Sequence, residues 1–299
     1  MKLDLAAPYD VEEFDAPFAR PQGIELLARI YRPKTGASAS WPVLVDVHGG
    51  AWNQGDRTVG SQHGRGLAAC GLVVVSLDFR QGPDHQHPAA SADIAAGIRW
   101  VRANALRLHL DVARVGISGS SSGGQLALLA AVKPGVPQHA GTPIVMPDGS
   151  LSTAPGNESV AYVLALYPVA DPLARYRYVL TRKNEPVVPG GFNAQRLITS
   201  HVKFFGDESR MADASITRIV SSGEAKALPP LFLAHAELDD NVPSPITETF
   251  ARAWKDAGGQ VEHVYFPGAR HGFIQRPGPD ADKCIALMRE FIGRKLAQG

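Results

Sequence analysis

Residues 114–126 read RVGISGSSSGGQL, and this stretch decides the fold into which the rest of the chain has to fit. A β-branched run at 115–118 predicts a strand, and an Ala- and Leu-rich run at 125–132 predicts a helix. Between them, residues 119–123 match G-x-S-x-G around Ser121, a pattern in which the serine sits on a tight strand-to-helix turn. A flexible Gly/Ser linker has a similar composition. The flanking strand and helix favour a nucleophilic serine, beside which the helix amino terminus stabilises developing negative charge.

The remaining sequence alternates between apolar, β-branched runs and segments whose apolar residues recur every three to five positions. The former predict strands and the latter predict helices. Such alternation predicts an α/β fold, in which helices flank both faces of a mostly parallel sheet. The first strands, joined by Pro21-Gln22-Gly23, are predicted to form an antiparallel hairpin. The predicted strands are residues 24–32, 43–47, 72–77, 115–118, 160–167, 231–235 and 261–266, and the clearest helices are residues 88–104, 125–132 and from about 282 onward.

A single domain over residues 1–299 is expected, with two insertions that break the alternation. Residues 133–159 contain five prolines and are predicted to form a long irregular loop. Residues 170–227 combine short helical pieces with Pro186, Pro189, Gly190 and Gly191. Because long loops in compact domains are usually functional, both insertions are predicted to lie above one edge of the sheet as cap-like segments.

Composition excludes several classes of protein. The chain carries 30 Lys and Arg against 29 Asp and Glu, so no basic surface for nucleic acid is expected. No apolar run approaches the ~20 residues that a membrane helix needs, and residues 1–15 lack the apolar core of a secretory signal. Cys70 and Cys284 form no disulfide framework and are predicted to be small buried side chains. We therefore expect a cytoplasmic protein with no membrane or nucleic-acid partner; its oligomeric state stays open, a homodimer included.

The second chemical signal follows the predicted strand 43–47. The chain continues there as His48-Gly49-Gly50-Ala51-Trp52. Two successive glycines after a strand allow backbone N–H groups to point at one spot, which is what an oxyanion requires. A plain glycine turn explains the residues equally well when they are taken alone. Their place before the strand 72–77 favours the oxyanion hole.

The third and fourth signals follow the last two predicted strands. Glu237, Asp239 and Asp240 lie just past the strand 231–235, and His271 lies in the loop after the strand 261–266. Taken singly, the carboxylates fit a polar turn and the histidine fits a solvated loop side chain. The chain order serine, acid, histidine, as in Ser121, Asp239 and His271, is the order of nucleophile, acid and base in an α/β-hydrolase. Together the three predict a catalytic triad.

Several segments resemble the α/β-hydrolase carboxylesterases of the hormone-sensitive-lipase-like group, close to its feruloyl-esterase-like branch. They are similar to the family's HGGGW…GD(K/R), DYRLAPEHPFPAA, GDSAGGNLA and strand-HGxxDxxVP patterns, over nearly the whole chain. Ala51, Ser120 and Ser122 depart from these patterns, although Ala51 keeps its backbone N–H. The matching segments are His48 to Trp52 with Gly55-Asp56-Arg57, Leu77-Asp78-Phe79-Arg80 with Pro83-Asp84-His85 and Pro88-Ala89-Ala90, Gly119 to Ala127, His235 to Pro243, and His271-Gly272-Phe273.

This resemblance implies a serine esterase that needs no cofactor and acts on a small-molecule ester. It assigns the acid to Asp239, because His235 and Val242-Pro243 align with the two ends of the family's acid loop. Short acyl chains are implied, since no long apolar lid helix is visible in residues 170–227. The other implied site residues are the backbone N–H groups of Gly50, Ala51 and Ser122 as the oxyanion hole, and Gly49, Trp52 and Phe205 as substrate contacts.

Three other functions compete with the esterase. An arylformamidase of the kynurenine formamidase type shares H-G-G-x-W, but the Gly-Asp-Arg at 55–57 is more typical of esterases. A prolyl-oligopeptidase-type peptidase has a propeller domain, which is not evident here. A catalytically inactive hydrolase fold that serves as a binding module usually lacks the serine or the histidine, and both are present.

Two further pairs are interpreted as non-catalytic. His85 and His87 form an H-x-H pair, but no third ligand is in view, so no metal site is expected. Asp78 and Arg80 lie at a strand end and are predicted to tie neighbouring loops by charge-assisted hydrogen bonds.

Overall fold

The computed structural model describes residues 3–34, 40–187 and 191–297. Within these ranges the chain forms one ten-stranded sheet flanked by helices. The strands are β1 (Val11–Ala19), β2 (Leu26–Pro33), β3 (Trp41–Val47), β4 (Val73–Leu77), β5 (Leu110–Ser120), β6 (Ile144–Val145), β7 (Leu151–Ser152), β8 (Tyr162–Leu166), β9 (Leu231–Ala236) and β10 (Val261–Phe266). The α-helices are α1 (Ser61–Ala68), α2 (Ala89–Ala103), α3 (Ala105–Leu108), α4 (Ser122–Val132), α5 (Pro172–Thr181), α6 (Ala194–Phe205), α7 (Glu208–Asp213), α8 (Ile216–Ser221), α9 (Ser244–Asp256) and α10 (Pro279–Ala297).

The sheet confirms the predicted α/β class. Its strand order is β10-β9-β8-β5-β3-β4-β2-β1-β6-β7, and the six strands from β10 to β4 are parallel. β1 and β2 pair antiparallel around a 3-10 turn at Pro21–Gly23, as predicted. Because the carboxyl ends of parallel strands meet at one edge, the loops after β3, β5, β9 and β10 all open on the same side of the sheet.

Apolar packing covers both faces of the sheet. In β3 the side chains of Val43, Val45 and Val47 belong to one buried cluster, whereas Leu44 belongs to the other. This two-sided burial follows from the period-two alternation of a strand, and it explains why the parallel strands are apolar throughout. Cys284 lies in the second cluster; it and Cys70 are free and buried, as predicted. Burial raises the pKa of the Cys70 thiol to about 11.

β5 is longer than the sequence predicts. It begins at Leu110 rather than at Val115, and its first residues pair with Trp41 and Pro42 at the start of β3. Asp111 and Arg114 interrupt the apolar run, so the polar half of this strand gives no apolar signal.

The first insertion differs from its prediction. Instead of an irregular cap-like loop, residues 133–159 contain the β6–β7 hairpin, which pairs with β1 through Ala19 and Ile144. Its turn is built from Asp148, which accepts hydrogen bonds from the N–H and hydroxyl of Ser150, and from Gly149 at φ +83°. The hairpin therefore extends the sheet at the edge opposite β10, far from the loops after β9 and β10.

The second insertion, residues 170–227, lies after β8 and forms the short helices α5 to α8. Its residues 188–190, including Pro189 and Gly190, lie outside the described residues. Asp171, Asn193, Asp207 and Ser215 cap the four helices, each accepting a hydrogen bond from a backbone N–H in the first turn. Side chains from α5 and α6 line the cavity described next.

Candidate active site

Ser121 lies at the sharp turn between β5 and α4. Its backbone is held at φ 54°, ψ −120°, outside the usual regions for a non-glycine residue. The turn requires the two glycines of the motif. A Cβ on Gly119 would lie 2.3 Å from the carbonyl oxygen of Gly123, and a Cβ on Gly123 would lie 2.2 Å from that of Val47. The turn thus presses α4 against the end of β3 and leaves the Ser121 hydroxyl at the apex.

A chain of hydrogen bonds joins Ser121 to His271 and Asp239. Ser121 Oγ lies 2.9 Å from His271 Nε2, and His271 Nδ1 lies 2.7 Å from Asp239 Oδ2. Asp239 Oδ1 accepts hydrogen bonds from the backbone N–H groups of Asn241 and Val242, at 2.9 and 2.8 Å. With its carboxylate fixed, Asp239 accepts a hydrogen bond from Nδ1–H of His271, which leaves Nε2 free to accept the serine proton. The sequence-predicted residues are therefore brought together.

The other two carboxylates of this loop have different contacts. Glu237 accepts a hydrogen bond from the backbone N–H of Gly268, at 2.7 Å. The backbone carbonyl of Asp240 accepts a hydrogen bond from the hydroxyl of Tyr178. The Asp240 side chain does not cap α9, whose N-cap residue is Pro243 and which has no side-chain capping hydrogen bond.

The Gly49–Ala51 turn lies against the serine. A Cβ placed on Gly49 would be 3.2 Å from the Cβ of Ser121, and one on Gly50, which has φ +128°, would lie 1.8 Å from the carbonyl oxygen of Gln54. The side chain of Ser122 accepts a hydrogen bond from the N–H of Trp52, which links this turn to the start of α4. Within residues 3–34, 40–187 and 191–297, no acceptor takes a hydrogen bond from the N–H groups of Gly50, Ala51 or Ser122.

Ser121 and His271 open on a cavity of about 320 Å³. Ser121 is 9% exposed, and the side chain of His271 is 17% exposed, while Asp239 is buried behind it. The cavity is lined by Gly49, Gly50, Ala51, Gln54, Gly55, Val59, Ser121, Arg175, Arg196, Leu197, Asn241, His271 and Gln275.

Trp52 and Phe205, predicted to contact substrate, do not line this cavity. Both are fully buried. Trp52 donates its indole N–H to Gln125 at 3.0 Å, stacks on Phe204 at 5.5 Å and meets Phe205 edge-on at 4.9 Å. Trp52 has a left-handed backbone, with φ 61°, and this directs the ring inward under the turn rather than toward the cavity. The prediction that these two aromatic residues contact substrate is therefore wrong in this structure, whereas Gly49 does reach the cavity.

The Gly-Asp-Arg segment supports the Gly49–Ala51 turn from outside. Arg57 donates hydrogen bonds to Asp78, at the end of β4, and to Asp15, in β1. Hydrogen bonds from Arg29 and then from Arg57 hold the pKa of the Asp15 carboxyl well below its usual range. Arg80 forms a forked pair with the buried Asp93 of α2. Asp78 and Arg80 thus tie neighbouring elements together, as predicted.

His85 and His87 do not form part of a larger ligand cluster. Within the described part of the chain, no group of three or more His, Cys, Asp or Glu side chains could hold a metal ion. His87 packs beside Phe204 and Phe205, and burial lowers its pKa to about 4.

Hydrogen bonds join Arg175, His201 and Asn241 beside the cavity, and no sequence motif predicts any of them as a site residue. Arg175 of α5 donates from Nε to His201 Nε2 of α6, at 3.2 Å, and from Nη1 to the side-chain oxygen of Asn241. Arg175 and Asn241 line the cavity. Arg175 and His201 belong to no motif, and only the packing of α5 on α6 brings them together.

Comparison with known proteins identifies the family. Residues 29–253 match the BD-FAE family. The chain is 30% identical to the esterase LipC of Mycobacterium tuberculosis over 91% of its own length, and 28% identical to LipQ of the same organism over 95%. It spans 64% and 63% of the lengths of these two relatives. An esterase of Rhizomucor miehei has the same fold, with a TM-score of 0.74 and 23% identity over 98% of this chain and 88% of that one.

None of the helices within the described ranges has the length and apolar character to cross a membrane. The family match covers β2 to α9, and so includes the G-x-S-x-G turn, the glycine turn after β3 and the acid loop. The chain belongs to the BD-FAE family, and it has the α/β-hydrolase fold.

Proposed function

We propose that this protein is a serine carboxylesterase that hydrolyses short-chain carboxylic esters through an acyl-enzyme intermediate. The observation that carries the proposal is the hydrogen-bond chain from Ser121 through His271 to Asp239, which opens on a cavity at the serine. The relatives LipC and LipQ are esterases, which also supports the proposal.

In the first step, His271 Nε2 takes the proton of Ser121 Oγ while the oxygen attacks the ester carbonyl. Asp239 keeps the histidine in the required tautomer and stabilises its charged form. The free N–H groups of Gly50, Ala51 and Ser122 donate to the oxyanion of the tetrahedral intermediate. The carbon–oxygen bond to the alcohol then breaks, and the proton on His271 passes to the departing alcohol.

In the second step, His271 takes a proton from a water molecule, which attacks the acyl carbonyl on Ser121. The intermediate collapses, the proton returns to the serine oxygen, and the carboxylic acid leaves. The chemistry uses only side chains and backbone N–H groups of this chain. The strained backbone at Ser121 holds the serine oxygen in place, first as the nucleophile and then as the leaving group.

Short acyl chains fit the site better than long ones. The cavity has a volume of about 320 Å³, and Leu197 and Val59 are the larger apolar side chains that line it. In the described part of residues 170–227, the helices have 6 to 12 residues, so none of them is a long lid over an extended acyl groove. We therefore assign acetyl to butyryl esters as preferred substrates.

A panel of p-nitrophenyl esters from acetyl to palmitoyl, measured beside N-formylkynurenine, tests the function. The expected result is a falling kcat/KM with acyl length, no interfacial activation, and slow turnover of the formamide. Ser121→Ala serves as the matched control, with kcat lower by about 10⁴–10⁶. Faster hydrolysis of N-formylkynurenine than of every ester would make the protein an arylformamidase. Turnover of no ester, with an unreactive Ser121, would contradict the proposal.

A further inference from the structure

Two arginine side chains give the cavity at Ser121 a cationic wall. Arg175 and Arg196 line the same cavity as Ser121 and His271. None of the described residues that line it is an Asp or a Glu. The nearby carboxylate of Asp239 is already bound to His271 and to two backbone N–H groups.

Arg175 is buried and has only neutral partners. It is 1% exposed. Its Nε donates to His201, its Nη1 donates to Asn241, and the plane of the guanidinium lies over the ring of Trp52, with Cζ 5.4 Å from the ring centroid. Its Nη2 has no acceptor among residues 3–34, 40–187 and 191–297. This residue of the cavity lining therefore keeps one buried donor unpaired within the described residues.

His201 does not neutralise Arg175. Its Nδ1–H donates to the carbonyl oxygen of Leu197 at 2.8 Å, so Nε2 is the acceptor for Arg175. Burial, with Arg175 alongside, lowers the pKa of His201 well below its usual value, so the ring is uncharged at neutral pH. The charge of Arg175 is therefore not balanced by any contact that the structure gives it.

An unbalanced buried cation is costly to the folded protein. Taking a guanidinium out of water without a carboxylate to pair with is energetically unfavourable. Burial lowers the pKa of Arg175 to about 9, yet a group with this pKa remains charged at pH 7. Proteins tolerate such a cost mainly at functional sites, where an anionic ligand completes the pairing.

Arg196 extends the cationic wall toward solvent. It is exposed, and it also lines a neighbouring cavity of about 420 Å³ together with Arg270, Arg276 and Asp240. Within the described residues, Arg196, Arg270 and Arg276 make no ion pair. The described lining of this neighbouring cavity thus contains three arginines and one carboxylate. Their net positive charge attracts an anion toward the site at Ser121.

We propose that the ester substrate carries a carboxylate, which Arg175 and Arg196 bind while Ser121 attacks the ester carbonyl. The substrate class is thus a monoester of a dicarboxylic acid, or an ester whose alcohol part bears the carboxylate. This inference rests on the proposed esterase function and names its substrate class. The carboxylate takes no part in bond making: water still adds across the ester carbon–oxygen bond, as in the two steps above. A guanidinium fork suits a carboxylate because both are planar and pair through two hydrogen bonds.

The test compares charged and uncharged esters of matched shape. On the acyl side, p-nitrophenyl hemisuccinate is compared with p-nitrophenyl 4-methylpentanoate, in which two methyl groups replace the carboxylate oxygens. On the alcohol side, 4-carboxyphenyl acetate is compared with 4-isopropylphenyl acetate. Rates with Ser121→Ala are subtracted, because hemisuccinates also hydrolyse spontaneously. We expect kcat/KM for the charged member of at least one pair to be at least ~10-fold higher, with an advantage that falls as salt is added.

Three variants, one of them a control, separate carboxylate recognition from a structural role. Arg196→Gln removes an exposed charge that holds no other element, so it should lower kcat/KM for the preferred charged ester by about 10-fold. The uncharged partner should change by less than about 2-fold. Arg252→Gln removes an exposed charge on α9 that lines neither cavity, and it should change neither ester. Arg175→Gln should reduce the charged-to-uncharged ratio at least as much as Arg196→Gln, whatever it does to the acid loop through Asn241.

Three results overturn the inference. The first is a wild-type enzyme that hydrolyses the uncharged member of both pairs as fast as the charged one; the esterase proposal then stands. The second is an equal loss on both esters in Arg196→Gln, which would make the arginine a structural residue. The third is no turnover of any ester, and in that case the proposed function fails and the inference fails with it.

Discussion

Two sets of Ser, His and Asp side chains lie near the carboxyl ends of the parallel strands. One set opens on the cavity at Ser121, whereas the other is buried. In the set Ser121–His271–Asp239, the histidine lies between the serine and the carboxylate. In the buried set, which comprises Asp46, His63, Ser76 and Ser118, the carboxylate lies in the middle. Asp46 Oδ1 is 3.0 Å from His63 Nε2 and 2.6 Å from Ser118 Oγ, and its Oδ2 is 3.1 Å from Ser76 Oγ.

Under the proposed function, the arrangement of these residue types, rather than their identity, distinguishes the nucleophile Ser121 from the buried Ser118. Burial by itself would raise the pKa of Asp46, but His63 and the hydroxyls of Ser118 and Ser76 hold it below its usual value. A carboxylate with so low a pKa is a poor base for a serine proton at neutral pH. Ser118, Asp46 and His63 are also fully buried, so no ester reaches them. We therefore interpret the buried set as a structural tie between β3, β4, β5 and α1.

The largest expected difference between the two sets comes from removing each serine hydroxyl. Ser121→Ala should lower kcat by about 10⁴–10⁶ and leave the fold intact. Ser118→Ala should lower kcat by less than about 10-fold, while it destabilises the protein by about 1 kcal/mol through the lost hydrogen bond. Steady-state kinetics with p-nitrophenyl butyrate and urea unfolding measure the two effects. A loss of activity at Ser118 equal to that at Ser121 would remove the distinction.

The two carboxylates should separate activity from stability. Asp239→Asn keeps the shape of the acid but favours the wrong tautomer of His271, so kcat should fall by about 10³–10⁴. Asp46→Asn should cost about 2 kcal/mol of stability, because the hydrogen bonds that Asp46 accepts lose their charged acceptor, and kcat should change little. Measuring kcat and the free energy of unfolding on both variants gives the answer. Similar kinetic losses in the two would contradict the assignment.

Sequence alone predicts the triad because each member lies in the turn or loop that follows a predicted strand. Ser121, Asp239 and His271 come after β5, β9 and β10, and parallel strands bring those ends to one edge. The motif around Ser121 and the order of the chain are local signals, so they need no knowledge of tertiary packing. The same reasoning places the glycine turn after β3.

The positions of several other side chains depend on tertiary packing, and no local sequence pattern predicts them. Trp52 stands next to the glycine turn, but its indole bond to Gln125 and its contact with Phe204 direct the ring into the core. Arg175 and His201 are 26 residues apart and meet only because α5 packs on α6. Asp46 and His63 belong to no motif either. Asp46 lies in β3 and His63 in α1, and a hydrogen bond between a strand and a helix requires no fixed spacing along the sequence.

The buried set should also make the free energy of unfolding depend on pH in the acidic range. Because the pKa of Asp46 is lower in the folded protein than in the unfolded chain, its ionised form adds stability that is fully present above the unfolded value of about 4. That stability is lost as the pH falls through the folded value. The difference in unfolding free energy between wild type and Asp46→Asn should therefore shrink between pH 5 and pH 3 by on the order of 1 kcal/mol. Urea unfolding at both pH values measures it, and a widening difference would contradict the sign.

The smallest effect is expected one residue past the proposed acid. The backbone carbonyl of Asp240 accepts hydrogen bonds from Tyr178 and Arg182, and Asp240 lines the neighbouring cavity of about 420 Å³. The carboxylate that is bound to His271 is that of Asp239. Asp240→Asn should therefore lower kcat for an uncharged ester by less than about 10-fold. Kinetics on this variant beside Asp239→Asn decide the position of the acid, because a larger loss at Asp240 would move it by one residue.

The most direct test of the central claim, that Ser121 alone is the activated serine, is covalent labelling with a fluorophosphonate followed by peptide mass spectrometry. The reagent requires a serine activated by a histidine and reachable from solvent. We expect one equivalent of label, on Ser121, in the wild type and in Ser118→Ala, and none in Ser121→Ala. Label on Ser118, Ser120 or Ser122, or undiminished labelling of Ser121→Ala, would contradict the account.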